Sequence, residues 1–170
     1  VSPMIVSEMA DSTEYPALEA DIPVITSEGK SNVKIAGVKS KNKLVRYTIP
    51  ETLLRADENF LALMVEAEKY IGYPYVYGGS KPSTGFDCSG FVCWVFRQSG
   101  VYDTGRLGAK GLYSLCTDVS RDEARPGDLV FFTKTMGADV KGITHVGIYV
   151  GNNMMLHAGD PVGFADLQSD

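Results

Sequence analysis

The hydrophobic period of this chain changes once, at the turn signal Arg125-Pro126-Gly127-Asp128. Before it, apolar residues recur at helical spacing. Pro50 opens a pattern of Leu53, Leu54, Phe60, Leu61, Met64, Val65, Ala67 and Ile71, and its later spacings predict an amphipathic helix over about 59–71 closed by Gly72. A second helix is expected from the Cys88 region to Gly100, and a short one at 109–116. After the turn, residues 129–132, 145–150 and 154–158 read as strands, the last two joined by the hairpin signal Gly151-Asn152-Asn153. Helices followed by antiparallel strands predict an α+β fold, not alternating β/α units.

Residues 1–50 differ from the rest. They are rich in Ser, Glu, Lys and Pro, with strand-like pieces at 33–38 and 44–49. They are expected to form a linker or extended arm, with residues 51–170 as one domain. The net charge of −5 and the lack of dense Lys/Arg runs argue against electrostatic binding to nucleic acid. No apolar run approaches the length of a membrane span, so no membrane insertion is expected of this stretch. Residues 1–16 carry no signal-peptide pattern and the chain has no initiator Met. A fragment of a longer protein is therefore expected, and missing targeting signals do not make it cytoplasmic.

The three cysteines are too few for a disulfide framework. Cys93 and Cys116 read as small buried apolar residues. Cys88 is different. The string Gly85-Phe86-Asp87-Cys88-Ser89-Gly90 ends a loop dense in Gly, Pro, Tyr and Ser and opens the apolar run Phe91-Val92-Cys93-Trp94-Val95-Phe96. Asp87 is then a helix N-cap and Cys88 lies in the first turn. Unpaired N–H groups and a partial positive charge at that end favour a thiolate, the nucleophilic form of cysteine.

The chain has two histidines, His145 and His157, on the two strands of the predicted hairpin. With a two-residue loop, Asn152-Asn153, residue 157 pairs with 148 and the rings point to opposite faces. With a three-residue loop, 151–153, it pairs with 147 and the rings are diagonal neighbours on one face. In the second case Cys88 and His145 can form a nucleophile–base ion pair, with His157 orienting His145. The oxyanion would meet the Cys88 N–H and a second donor from the preceding loop, where Tyr75 and Tyr77 stand.

Four strings bear a family resemblance. Pro74-Tyr75-Val76-Tyr77-Gly78-Gly79, Asp87-Cys88-Ser89-Gly90-Phe91-Val92, Arg125-Pro126-Gly127-Asp128-Leu129-Val130-Phe131-Phe132 and His145-Val146-Gly147-Ile148-Tyr149-Val150-Gly151 resemble the NlpC-type cysteine peptidases over roughly residues 57–165. The resemblance implies a papain-like α+β fold, with the nucleophile helix packed on an antiparallel sheet. It implies hydrolysis of peptidoglycan stem peptides at the bond from D-γ-glutamyl to a diamino acid, in the cell envelope and without cofactor or metal. Cys88 is then the nucleophile, His145 the base and His157 the third member. Tyr75 supports the oxyanion, and Asp87 and Ser89 meet the free amino group of the stem's L-alanine. The strings 106–113 and 155–161 further resemble wall hydrolases of Gram-positive conjugative elements, which often carry a separate glycan-cleaving domain. Family members usually continue with a further strand where this chain ends, so an open sheet edge is expected.

Other classes compete. A wall-binding module without chemistry would explain the tyrosines, but not a helix-start cysteine with two histidines. An acyltransferase would use the same triad and acyl-enzyme. A zinc site from Cys88, His145 and His157 has the ligand count, without the usual local spacing. Arg106 and Lys110 lie near the site in sequence and read more simply as solvated surface charge.

Overall fold

Two aspartates start the helices that frame the molecule. In the computed structural model, which describes residues 33–133 and 142–167 and the strand pairing of residues 3–8 and 24–30, the elements run in this order. β1 is Pro3–Glu8, β2 Val24–Lys30, β3 Lys34–Ile35, β4 Val38–Lys39 and β5 Lys43–Thr48. Then come α1 (Glu51–Ala56), α2 (Glu58–Ala67), β6 (Ser80–Lys81), β7 (Gly85–Phe86), α3 (Cys88–Gln98) and α4 (Ala109–Ser114). The chain closes through β8 (Thr117–Val119), β9 (Leu129–Thr133), β10 (Ile143–Gly151), β11 (Met154–Ala158) and β12 (Val162–Asp166).

Asp57 caps α2, its Oδ1 accepting from the N–H of Asn59 at 2.8 Å. Asp87 caps α3, its Oδ1 accepting from the N–H of Gly90 at 2.7 Å. Such a cap contributes about 1 kcal/mol. In α2 the buried residues Phe60, Leu63, Met64 and Ala67 fall at helical spacing. The α-helix ends at Ala67 and a 3₁₀ turn carries the chain to Tyr70. In α3 eight of the eleven residues are buried, so this helix is enclosed rather than amphipathic. It packs on β10 and β11 and also touches α2 and α4.

The main sheet has the order β12-β11-β10-β9-β1-β8. Every neighbouring pair in it is antiparallel. Strand β9 explains its own composition. Leu129 and Phe131 join the helix-side core with Phe91, Val92 and Phe96. Val130 and Phe132 join a second cluster on the other face, with Met155 and Leu167. A strand covered on both faces reads as a continuous apolar run.

The segment expected as a linker or arm ends in packed structure. Leu44, Tyr47 and Ile49 are buried. The Tyr47 and Phe164 rings lie 5.2 Å apart, so β5 packs against β12. Pro3–Glu8 pairs between β9 and β8. Strand β12 is paired along the whole of β11 and forms one edge of the main sheet. Among the described residues, no helix is long and apolar enough to cross a membrane.

Candidate active site

The aromatic loop and the start of α3 are fastened backbone to backbone. The N–H of Asp87 donates to the carbonyl of Gly79 at 2.9 Å. The N–H of Gly78 donates to Asp87 Oδ2 at 3.1 Å. At Gly90, a Cβ atom would lie 2.0 Å from the Gly79 carbonyl oxygen, so only glycine allows this approach. Cys88, the first residue of α3, is thereby fixed in the angle between loop and helix, and is buried.

The hairpin resolves the choice left open by the sequence. Asn152 and Asn153 adopt φ of 51° and 63°, as in a tight two-residue turn. Gly151 pairs with Met154, but the register then slips, and Tyr149 pairs with Met155 and Ile148 with Leu156. Val150 is the extra residue of a bulge. Continuing that register sets His157 opposite Gly147, diagonal to His145. Thus a two-residue turn plus a bulge achieves what a three-residue loop would. His145 Nε2 lies 2.7 Å from His157 Nδ1, and the rings are edge to face at 88°. Gly159 leaves room for this, since a Cβ there would come within 2.9 Å of the His157 ring.

The same strand meets Cys88. The backbone N–H of Val146, next to His145, points at the Cys88 thiol. Burial pushes that thiol up, and the N–H groups of Val146, Ser89 and Cys88 itself oppose the rise while Asp87 adds to it. Burial also pushes His145 down to about 4. His157 is pushed down to about 3 by burial and then by His145. Burial thus opposes the charged forms of both groups, while the N–H groups at the helix start favour the thiolate.

Of the two loop tyrosines, Tyr75 faces the site. Its hydroxyl lies at the N–H and thiol of Cys88 and is pushed up to about 12, first by burial and then by Cys88 and Asp87. Tyr77 is 82% exposed. Asp160, on the connection after β11, holds the Tyr75 backbone N–H at 3.2 Å and the Lys41 N–H at 3.0 Å. No local pattern announced Asp160, because its partners are distant in sequence.

Asp87 and Ser89 border Cys88 and share a partner. Arg106 Nη2 donates to both Asp87 carboxylate oxygens at 3.2 Å. Its Nη1 donates to Ser89 Oγ at 3.0 Å and to the Leu107 carbonyl at 2.6 Å. Arg106 is exposed, as expected of surface charge, and its fork of donors is paired with this carboxylate. Cys93 is buried, with its Sγ near the Leu107 backbone. Cys116 is pushed up to about 12, chiefly by burial. Among the described residues, no three His, Cys, Asp or Glu side chains converge as a metal site.

A buried cysteine at a helix start, a histidine on the facing strand and a polar residue behind it is the constellation of a papain-like fold. The sequence model of the NlpC/P60 family matches residues 72–170. The chain belongs to the NlpC/P60 family. Among NlpC/P60 relatives, the bifunctional muramidase/DL-endopeptidase CwlT of Bacillus subtilis is 47% identical over 108 residues, covering 63% of this chain and 32% of CwlT. The gamma-DL-glutamyl hydrolase of the same organism is 46% identical over 94 residues, covering 55% of this chain and 22% of that protein. A crystal structure of an NLP/P60 protein from Staphylococcus aureus superposes with a TM-score of 0.61 at 45% identity, covering 66% of this chain and 37% of that one. The NlpC/p60 domain of the peptidoglycan hydrolase SagA gives a TM-score of 0.55 at 38% identity, covering 64% of this chain and 90% of that domain. This chain spans about a third or less of the length of the two Bacillus relatives. The fold of these NlpC/P60 domains is the α+β, papain-like arrangement expected from the sequence.

Proposed function

We propose that this chain hydrolyses peptidoglycan stem peptides in the cell envelope, at the amide from D-γ-glutamyl to a diamino acid, by a Cys88–His145–His157 triad. The observation that carries the proposal is the 2.7 Å contact from His145 Nε2 to His157 Nδ1, made on the strand whose Val146 N–H meets the Cys88 thiol. In the active tautomer His145 donates its Nε2 proton to His157 and keeps the Nδ1 lone pair for Cys88. The thiol loses its proton to His145 as sulfur attacks the carbonyl carbon. The oxyanion is met by the Cys88 N–H and the Tyr75 hydroxyl. The imidazolium then protonates the leaving amine, and a thioester remains. Water, deprotonated by His145, attacks the thioester and returns the thiol.

The relatives support this class of bond. CwlT is named a DL-endopeptidase and the second Bacillus relative a gamma-DL-glutamyl hydrolase. CwlT is also named a muramidase, which supports a glycan-cleaving domain as a companion of residues 51–170 in a longer protein. Asp87 and Ser89 are proposed to meet the free amino group of the stem's L-alanine, with Arg106 competing for the same carboxylate.

The test is digestion of purified muropeptides carrying either diamino acid, with products identified by mass spectrometry. A fragment ending in D-γ-glutamate, released by the parent and not by Cys88→Ala, is expected. Release by Cys88→Ala at the parental rate overturns the mechanism. A product joined to an added amine rather than to water would make the chain an acyltransferase.

A further inference from the structure

Residues 29–50 hold six of the chain's 16 lysines and arginines and none of its 21 aspartates and glutamates. In a chain of net charge −5, this is a basic segment set in an acidic molecule. The cations stand singly in the sequence, and the backbone brings them together. Ala36 and Gly37, with φ of 49° and 82°, make the tight turn between β3 and β4. That turn sets Lys34 directly opposite Lys39. The pairing of β2 with β5 sets Lys30 directly opposite Lys43.

Like charges directly opposite one another on a ladder are destabilising. Among the described residues, no aspartate or glutamate forms an ion pair with Lys34, Lys39, Lys41, Lys43 or Arg46, all of which are exposed. The one acidic position on β2, Glu28, stands opposite Val45. Asp160 lies beside Lys41, but its two oxygens accept from the backbone N–H groups of Lys41 and Tyr75. The patch is nonetheless firmly mounted. Leu44 and Tyr47 of β5 are buried, and a Cβ on Gly163 of β12 would come within 3.3 Å of the Leu44 side chain. Through Asp160, the patch also adjoins the loop that carries Tyr75.

We propose that this patch docks the protein on an anionic polymer of the envelope made of phosphodiester-linked units. The proposal rests on the cell-envelope reading given above. The cations spread over a hairpin and a neighbouring strand and do not converge on one point. That suits a chain carrying charge at intervals rather than a single small anion. All but Arg46 are lysines, which meet phosphate as point charges and demand no fixed orientation of the partner. Residues 29–46 include no aromatic side chain on which a nucleic-acid base could stack. Val38 is their exposed large apolar side chain among the described residues, too little to seat the patch in a bilayer. A polymer held there keeps the Tyr75 loop, and the adjoining Cys88, at the wall.

The test is retention of the Cys88→Ala protein on isolated Gram-positive wall that keeps its phosphodiester polymers, and on the same wall stripped of them by hydrofluoric acid. Retention should be about tenfold greater on the unstripped wall and should fall as salt rises, because the bound cations release counterions. Adding Lys34→Gln, Lys39→Gln and Lys43→Gln should abolish that difference and flatten the salt dependence by about one in slope per lysine removed. Changing the same three lysines to arginine should keep it. With Cys88 intact, the triple glutamine variant should cleave a soluble muropeptide with parental kcat and KM but digest unstripped wall more slowly. Its thermal melt should match or exceed the parent's, since the opposed charges are gone, so lost retention is not lost folding. Equal retention on the two walls would overturn the proposal, as would parental retention by the triple glutamine variant. Tighter binding to a DNA oligonucleotide or to phosphatidylglycerol vesicles than to the unstripped wall would also overturn it. Failure of the stem-peptide reading looks different: the parent cleaves no muropeptide, while retention still separates the two walls.

Discussion

His145 and His157 share one hydrogen bond of 2.7 Å between unlike nitrogens, Nε2 of the first and Nδ1 of the second, across a hairpin that slips by one residue at Val150. In the proposed triad that bond fixes which nitrogen of His145 is left for Cys88. His157→Ala should therefore lower kcat by on the order of 10²–10³-fold, the range in which a positioned acid–base group acts. His157→Gln, which still offers an acceptor, should recover part of the loss. KM should move little in either variant. Steady-state kinetics on a defined muropeptide decide the matter, and unchanged kcat in His157→Ala would remove His157 from the triad.

The pH profile has a definite sign. His145 is pushed down to about 4 and His157 to about 3, against an ordinary value of about 6.5. Between these values the unfolded chain binds protons that the folded chain refuses. Stability from this source is therefore complete above about pH 6.5 and is lost as the pH falls toward about 4 and then about 3. Denaturant titrations at stepped pH should show the unfolding free energy falling across that window, and His157→Gln should flatten the slope. The acid limb of kcat/KM should lie near 4, where His145 gains its proton, rather than near 6.5.

Tyr75 and Asp160 should act as a pair. Tyr75→Phe removes a hydroxyl aimed at the oxyanion and should lower kcat about 10²–10³-fold. Asp160→Ala leaves the hydroxyl but frees the Tyr75 backbone and the turn at Lys41. Its loss in kcat should be smaller, and the double variant should be no worse than Tyr75→Phe alone. Additive losses would mean that Asp160 works through something other than Tyr75.

Gly90→Ala should be among the most damaging single-methyl changes in the chain. The added carbon meets a backbone carbonyl, which cannot swing aside as a side chain can. Overpacking of this kind costs about 1–3 kcal/mol. Thermal melts should record it, and activity should fall further than stability, because Cys88 sits two residues away. Gly100→Ala, at a position with open space around the Cβ but a φ of 80°, is the control for backbone strain alone.

Reactivity should rank the thiols. Cys88 is pushed up by burial but opposed by three N–H groups, whereas Cys116 is pushed up to about 12 with nothing opposing. Alkylation followed by peptide mapping should label Cys88 ahead of Cys116, and activity should fall in step with Cys88 labelling.

The elements that position Cys88 were legible because their signals are local. Asp87 precedes an apolar run, and Met154–Ala158 follows a hairpin signal. Strand β12 escaped because Gly163 and Asp166 dilute its pattern, and β8 is only three residues long. The bulge at Val150 could not be read, since any residue can be the unpaired one in a ladder. Arg106 and Asp160 escaped for another reason: each acts on groups 19 and 85 positions away, and linear spacing carries no trace of such contacts. A helix end is visible in sequence, while the depth at which its thiol is buried is not.

The fastening of the aromatic loop to α3 has a kinetic consequence. Gly78, Gly79, Asp87 and Gly90 join the two segments through main-chain atoms and one carboxylate. Lifting the loop would break the helix cap along with the site, so the catalytic pocket is assembled before substrate arrives. Association should then follow a single exponential, linear in substrate concentration, without the saturating slow phase that a closing flap imposes.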